Sequence, residues 1–141
     1  MSGKTPFCVL RGTVIHGKGK GHKVGMPTAN LLVAPGQTLP PLGVYATRVR
    51  RGDQLYIGVT NVGQRPSVDD DQTVTVETFL INFRGDLYHE EIRVEFFTRL
   101  RDIQVFRSLE KVKEQVLADG REAERFFSPA GTAAAAKEEN G

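Results

Sequence analysis

The sequence predicts a mainly β domain: an antiparallel barrel, closed or nearly so, finished by one C-terminal helix. Three observations carry this reading. Short β-branched and apolar runs are separated by Gly, Pro and Asp turn signals as far as residue 98. The apolar period becomes helical only from Phe106 onward. Strand-like and helix-like segments never alternate, which argues against a Rossmann or P-loop architecture.

Taken in order, residues 7–16 (FCVLRGTVIH) read as the first strand. A Gly/Lys loop follows at 17–25, and Met26-Pro27-Thr28-Ala29-Asn30 leads into a second apolar run, Leu31–Val33. Pro and Gly punctuate 34–43. Strands are expected at 44–50 and 54–61, with the turn signal Arg51-Gly52-Asp53 between them. Residues 62–73 (VGQRPSVDDDQT) read as a polar, turn-rich connection, and strands at 74–83 and 91–98 are joined through Arg84-Gly85-Asp86. From Phe106 to about Phe127, Leu109, Val112, Val116 and Ala123 recur at helical spacing, with Ser108 placed to cap and Glu110 favourable in the first turn. Gly120 costs roughly 1 kcal/mol against Ala in a helix interior, so the helix is expected to break or cap there. One domain over residues 1–127 follows, with a biased, disordered tail at 128–141 (SPAGTAAAAKEENG).

A chain of 141 residues is long enough to bury a core without staples, and 39% hydrophobic with 26% charged residues is ordinary for a globular domain. The lone Cys8 excludes an intrachain disulfide and a cysteine metal cage. Without a long apolar run or a signal-peptide pattern after Met1, the expected location is the cytoplasm. The net charge of +2 conceals an asymmetry: residues 1–52 carry eight Lys or Arg and no acid, and all 17 acids lie from Asp53 onward. Such segregation points to an anionic ligand for the first third, unless folding interleaves the charges.

Several residues could carry chemistry. Gly17, Gly19, Gly21 and Gly25, interleaved with Lys18, Lys20 and Lys23, would let backbone N–H groups and ammonium ions surround a phosphate. This is no Walker A motif, and a flexible surface loop has the same composition. Thr28 and Asn30 share one side of an extended backbone, and their hydroxyl and amide oxygens suit Mg²⁺; an ordinary turn accounts for them equally. Glu77 shares its strand face with Thr75, Phe79, Ile81 and Phe83, a carboxylate among mostly apolar neighbours. Burial would raise its pKa and favour a general-base role, whereas a place near the barrel mouth would simply solvate it. His16, His22 and His89 lack metal-like spacing, Cys8 reads as a packed small residue, and Asp69-Asp70-Asp71 as a solvated loop.

Together these segments resemble the riboflavin kinase family, the kinase module also found in bifunctional bacterial FAD synthetases. The matching stretches are Gly12-x-Val14-x-His16-Gly17, Gly25-Met26-Pro27-Thr28-Ala29-Asn30-Leu31 and Gly43-Val44-Tyr45. They continue with Gly58-Val59-Thr60-Asn61-Val62-Gly63-x-Arg65-Pro66-Ser67, Val76-Glu77-Thr78, Phe83-x-Gly85-Asp86-Leu87-Tyr88, and Leu100-Arg101-Asp102 into Phe106, all in family order from about residue 8 to 125.

The resemblance implies a six-stranded antiparallel barrel of Greek-key type with a C-terminal helix. It also implies Mg²⁺-dependent transfer of the ATP γ-phosphate to riboflavin, giving FMN and ADP. Gly17 and Lys23 would wrap the ATP phosphates, and Thr28 and Asn30 would position Mg²⁺ (or another hard divalent cation) and the terminal phosphates. Glu77 would be the base, Asn82 and Tyr88 would line the nucleotide, and Arg101, Gln104 and Phe106 would hold the flavin. Two positions depart from the pattern: Ile103 stands where Glu is frequent, and His89 where Gly is expected after Tyr88.

Rival readings are a kinase domain cut from a bifunctional FAD synthetase and a non-catalytic flavin or nucleotide carrier. A carrier has no use for Thr28, Asn30 and Glu77 together. A nucleic-acid-binding barrel would want aromatics along its basic face, and residues 1–52 offer only Phe7 and Tyr45. No nucleic-acid or membrane partner is therefore expected, and the chain is expected to act as a monomer.

Overall fold

A computed structural model of the chain describes residues 5–15, 28–66, 72–83, 85 and 87–128. The glycine loop with Gly17 and Lys23, His16, His22, the Asp69–Asp71 run and the tail beyond residue 128 lie outside these described residues.

Six strands, β1 (Cys8–Ile15), β2 (Thr28–Val33), β3 (Gly43–Arg51), β4 (Gln54–Pro66), β5 (Gln72–Leu80) and β6 (Glu91–Arg101), precede one helix, α1 (Leu109–Phe127). All pairings are antiparallel, and the strands close into a barrel in the order β1-β2-β5-β4-β3-β6. Strands β3, β4 and β5 form a meander, and β2 lies beside β5, which is the Greek-key connection the resemblance implies.

Alternation decides which side chains meet inside. Leu10 and Val14 of β1, Leu31 of β2, Tyr45 and Val49 of β3, Val62 of β4, Val76 and Leu80 of β5, and Val94 and Phe96 of β6 fill one interior cluster. Tyr45 and Phe96 meet edge to face with centroids 5.3 Å apart. Strand β3 is buried on both faces, because Val44 and Ala46 point outward under α1 with Val59 and Ala123. A strand covered on two sides reads as a continuous apolar run, which is why 44–50 shows no clean alternation.

Three buried threonines bridge the interior. Thr47 and Thr78 each share a 2.8 Å hydroxyl contact with Thr60, so polar groups on β3, β4 and β5 satisfy one another. Gly58 sits against them: a Cβ there would lie 2.8 Å from Thr78 Cγ2 and 3.0 Å from Thr47 Oγ1.

Some element boundaries differ from expectation. Strand β4 runs on to Pro66 and β5 starts at Gln72, so much of the polar stretch 62–73 is a long hairpin paired from Val62↔Val76 to Pro66↔Gln72. Ladder hydrogen bonds hold polar sequence in a strand as well as apolar sequence, and only Val62 signals burial there. Strand β5 ends at Leu80 rather than 83, because Asn82 turns the chain with φ 59°. Phe83 consequently swings into the interior cluster instead of sharing the face of Glu77. Helix α1 continues through Gly120, with Ser108 as its N-cap accepting from the Lys111 N–H at 3.2 Å. Gly120 is buried on the packed face of the helix, and the expected break does not occur.

Folding also interleaves the charges. Glu95 of β6, 6% exposed, accepts from Arg48 at 2.9 Å and Arg50 at 3.3 Å, and Glu90 takes a two-pronged contact from Arg51 at 2.8 and 2.9 Å. Three of the eight basic residues in the first 52 are thus offset by acids from the second half.

Gly12 marks the tightest approach in the barrel wall: a Cβ there would lie 2.2 Å from the Leu32 carbonyl oxygen. Gly12→Ala is expected to destabilise the fold by at least about 1–3 kcal/mol, the range for overpacked cores, read from the urea unfolding midpoint. Cys8 is half-buried, its Sγ 3.7 Å from the Thr38 carbonyl oxygen, and burial pushes its thiol pKa up. Less thiolate is present at any given pH, so iodoacetamide should alkylate Cys8 more slowly at pH 8 than it alkylates free cysteine.

Candidate active site

The pairing register lines up residues distant in sequence. Asn30 of β2 faces Glu77 of β5, Glu77 faces Asn61 of β4, Asn61 faces Val44 of β3, and Val44 faces Arg101 of β6. Neighbours in such a row stand about 5 Å apart, with side chains on the same face. Ala29, Leu31, Val76 and Leu80 fill the interior, so Asn30 and Glu77 point out of the barrel. The adjacent row carries Thr28 opposite Phe79, and Phe79 packs under Val116 of α1. The expectation that Thr28 and Asn30 share a face therefore holds, and they share it with Glu77.

Between this face and the helix lies a cavity of about 260 Å³. Glu77 and Asn61 form its strand side, Val112, Val116 and Asp119 its helix side, and Gln104, Val105 and Phe106 the segment between β6 and α1. Val105 is 96% exposed although apolar, so an uncovered apolar lip stands at the rim. The cavity thus unites Glu77 with Arg101, Gln104 and Phe106, the four residues assigned separately to base and flavin contacts.

Arg101 is largely committed within the protein. Its Nε donates to both oxygens of Asp119 at 3.1 Å, one terminal nitrogen donates to Asp119 Oδ2 at 2.8 Å, and the other to the Asp102 carbonyl at 3.0 Å. Gln115 adds a 2.9 Å bond to Asp119 Oδ1, and the guanidinium lies 5.8 Å from the centre of the Phe106 ring. Arg101 therefore shapes the cavity by fixing α1 and flanking Phe106, while each terminal nitrogen keeps a second N–H beyond these bonds.

Asn82 and Tyr88 lie outside the cavity, in the β5–β6 connection at the barrel end where β1 finishes and β2 begins. Thr28 opens β2 at that same end, and His89 ties the connection to β1 by donating its N–H to the Val14 carbonyl at 2.8 Å. Tyr88 is half-buried against the interior cluster. His89 has φ 71°, a conformation glycine adopts freely, which gives a physical reason for the Gly expected there.

Thr28, Asn30 and Glu77 present hydroxyl, amide and carboxylate oxygens along two adjacent strands, all hard donors suited to Mg²⁺ with retained waters. Among the described residues no cluster of three His, Cys, Asp or Glu side chains forms a metal cage.

Two cavity residues were given no role from the sequence. Asp119 falls on the packed stripe of α1, three residues after Val116, and a charge on an apolar stripe is a legible sign of a buried partner. Asn61 lies in the Gly58–Ser67 stretch that helps carry the resemblance, but no role was assigned to it there. Its Oδ1 is buried with no hydrogen-bond partner, a state costing about 1–3 kcal/mol.

Because Asp119 is 5% and Arg101 21% exposed, removing one partner leaves a poorly solvated charge. Asp119→Ala is expected to lower stability by about 3 kcal/mol, whereas the double variant Arg101→Met/Asp119→Leu should recover most of that loss in denaturant unfolding.

Comparison with known proteins gives a consistent result. The family model for riboflavin kinase (flavokinase) matches residues 5–127. The chain is 33% identical over 121 residues to a bifunctional riboflavin kinase/FMN adenylyltransferase of Bacillus subtilis, covering 84% of this chain and 38% of that protein. It is 37% identical over 124 residues to the protein of the same name from Pseudomonas fluorescens, covering 88% and 39%. The RNA-binding riboflavin kinase RibR of Bacillus subtilis is 34% identical over 113 residues, covering 79% and 47%. The chain thus spans less than half the length of these curated relatives. Among solved structures, a Streptococcus pneumoniae chain described as a macrolide-efflux protein superposes with a TM-score of 0.78 at 32% identity, covering 87% of this chain and 40% of that one. Trypanosoma brucei riboflavin kinase superposes with a TM-score of 0.61 at 21% identity, covering 89% and 83%, a likeness of fold. No described helix is long and apolar enough to cross a membrane.

Proposed function

The chain belongs to the riboflavin kinase family, and from that premise we propose that it transfers the γ-phosphate of ATP to the ribityl 5′-hydroxyl of riboflavin, giving FMN and ADP. The observation that carries the proposal is the placement of Glu77. Its carboxylate lies in one cavity with the apolar and aromatic segment Val105-Phe106, and Asn30 stands directly opposite on β2. A base for a flavin side-chain hydroxyl must stand between the ring and the phosphate, and the position of Glu77 beside both the cavity and Asn30 supports that role.

In this reading the flavin ring lies against Val105, Phe106, Val112 and Val116, and its ribityl chain runs over Asn61 toward Glu77. ATP approaches from the barrel end carrying Thr28, Asn82 and Tyr88, with Gly17 and Lys23 of the β1–β2 connection around its phosphates. Thr28 and Asn30 would hold Mg²⁺, which when bound supplies charge neutralisation across the phosphate oxygens. Glu77 accepts the hydroxyl proton as the oxygen attacks the γ-phosphorus and ADP departs. Phosphoryl transfer asks mainly for alignment and charge compensation, and strands hold these residues more rigidly than loops would.

Incubation with riboflavin, ATP and Mg²⁺, followed by chromatographic separation of FMN and FAD, tests the reaction. FMN formation abolished by EDTA is the expected outcome; no FMN under any divalent cation would refute the assignment. Glu77→Gln is expected to cut turnover by about 10²–10⁴-fold while leaving ATP affinity close to wild type. Near-normal turnover would remove Glu77 from the mechanism.

A further inference from the structure

Asn61 is the one described residue with a buried side-chain polar atom that lacks a hydrogen-bond partner. Native proteins rarely leave such an atom unpaired, and where they do, a ligand is a common reason. Its surroundings specify what kind of group is missing. On one side stands Glu77, a hydrogen-bond acceptor when ionised, and on the other Val44, whose side chain is apolar. Neither can donate to Asn61 Oδ1. The side chain lines the cavity beside Gln104 and Arg101, neither of which bonds to it, so a ligand entering the cavity can bring the missing donor.

Two acceptors standing side by side about 5 Å apart on one face, a carboxylate and an amide oxygen, match a polyhydroxylated chain laid across β5 and β4. One hydroxyl meets the carboxylate while another on the same chain meets the amide. An aromatic ring would instead find Phe106, Val112 and Val116 on the helix side of the cavity.

Building on the kinase reading, we propose that Asn61 is a substrate-binding residue: its amide oxygen accepts a hydrogen bond from a secondary hydroxyl of the ribityl chain and so presents the terminal hydroxyl to Glu77. Asn61 then gives specificity for a polyol side chain over a plain alkyl alcohol. A site that hydrogen-bonds a hydroxyl discriminates against the analogue lacking it, because the analogue leaves the buried acceptor unpaired.

The test compares riboflavin with a flavin whose side chain is 5-hydroxypentyl, which keeps the terminal hydroxyl and lacks the secondary ones. Fluorescence quenching gives Kd, and FMN-type product formation gives kcat/KM, for the wild type, Asn61→Ala and Asn61→Ser. Wild type should prefer riboflavin. Asn61→Ala should lose on the order of tenfold in riboflavin affinity and kcat/KM, the effect of one hydrogen bond, with no loss for the hydroxypentyl analogue. Asn61→Ser, which restores an acceptor, should recover part of the preference. The ratio between the two ligands is taken within each variant, so a partly unfolded preparation does not disturb it. Equal losses for both ligands, or an undiminished preference for riboflavin in Asn61→Ala, would overturn the role of Asn61 alone. Wild-type protein that neither binds nor phosphorylates riboflavin would overturn the kinase reading and this inference with it.

Discussion

One buried carboxylate, Asp119, orients the helix that apolar contacts hold on the barrel. The packed stripe of α1 includes Val116, Gly120 and Ala123, and two of these carry little or no side chain. Small residues let the helix approach Val44, Ala46 and Val59 closely, but they grip poorly against sliding or rotation. The fork between Arg101 and Asp119 supplies the missing direction, because a guanidinium and a carboxylate bond well only in one plane. Arg101 closes β6 and Asp119 lies in the middle of α1, so the pair fixes the helix against the barrel at a single register. The cavity follows from that placement. Its walls belong to both elements, and the segment 102–108 must bridge a gap whose width the ion pair sets.

A second constraint acts within the barrel. Glu77 faces outward only because β5 keeps its register with both β2 and β4, and a slip of one residue would send it inward. Several features oppose such a slip. The hydroxyl contacts Thr47–Thr60–Thr78 would be broken on three strands at once, leaving buried oxygens unpaired. Gly58 fits where a side chain would strike Thr78, and Gly12 fits where one would strike the β2 backbone. The orientation of one exposed-face carboxylate is thus guaranteed by residues on the opposite face of the same strands.

Much of this was legible in the sequence, for reasons that differ by residue. Six strands and a capped helix could be read because apolar period and turn chemistry are local signals. The joint face of Thr28 and Asn30 followed from spacing alone, and Glu77 drew notice as a charge in an apolar strand. The extension of β4 to Pro66 could not be read, since its stability comes from a partner strand rather than from its own composition. Gly120 misled because helix propensity is a local preference, whereas here the residue is buried on the packed face of the helix. Asn61 was invisible for a stricter reason: an unpaired amide oxygen is a property of its neighbours in space, and nothing in Val59-Thr60-Asn61-Val62 encodes it.

In the proposed reaction the base and the metal-holding residues are neighbours. Asn30 and Glu77 are cross-strand partners on one face, but their strands lead to different parts of the molecule. Thr28 and Asn30 belong to the strand that emerges from the β1–β2 connection at the nucleotide end of the proposed reaction. Glu77 and Asn61 belong to strands that line the cavity beside the helix, the flavin end of the proposed reaction. A transferred phosphoryl group must lie between its donor and its acceptor, and in the proposed reaction that boundary would be the β2–β5 seam. Antiparallel pairing fixes the seam through backbone hydrogen bonds. In the proposed reaction the distance between the two half-sites would then be set by strand pairing rather than by the connections that flank it.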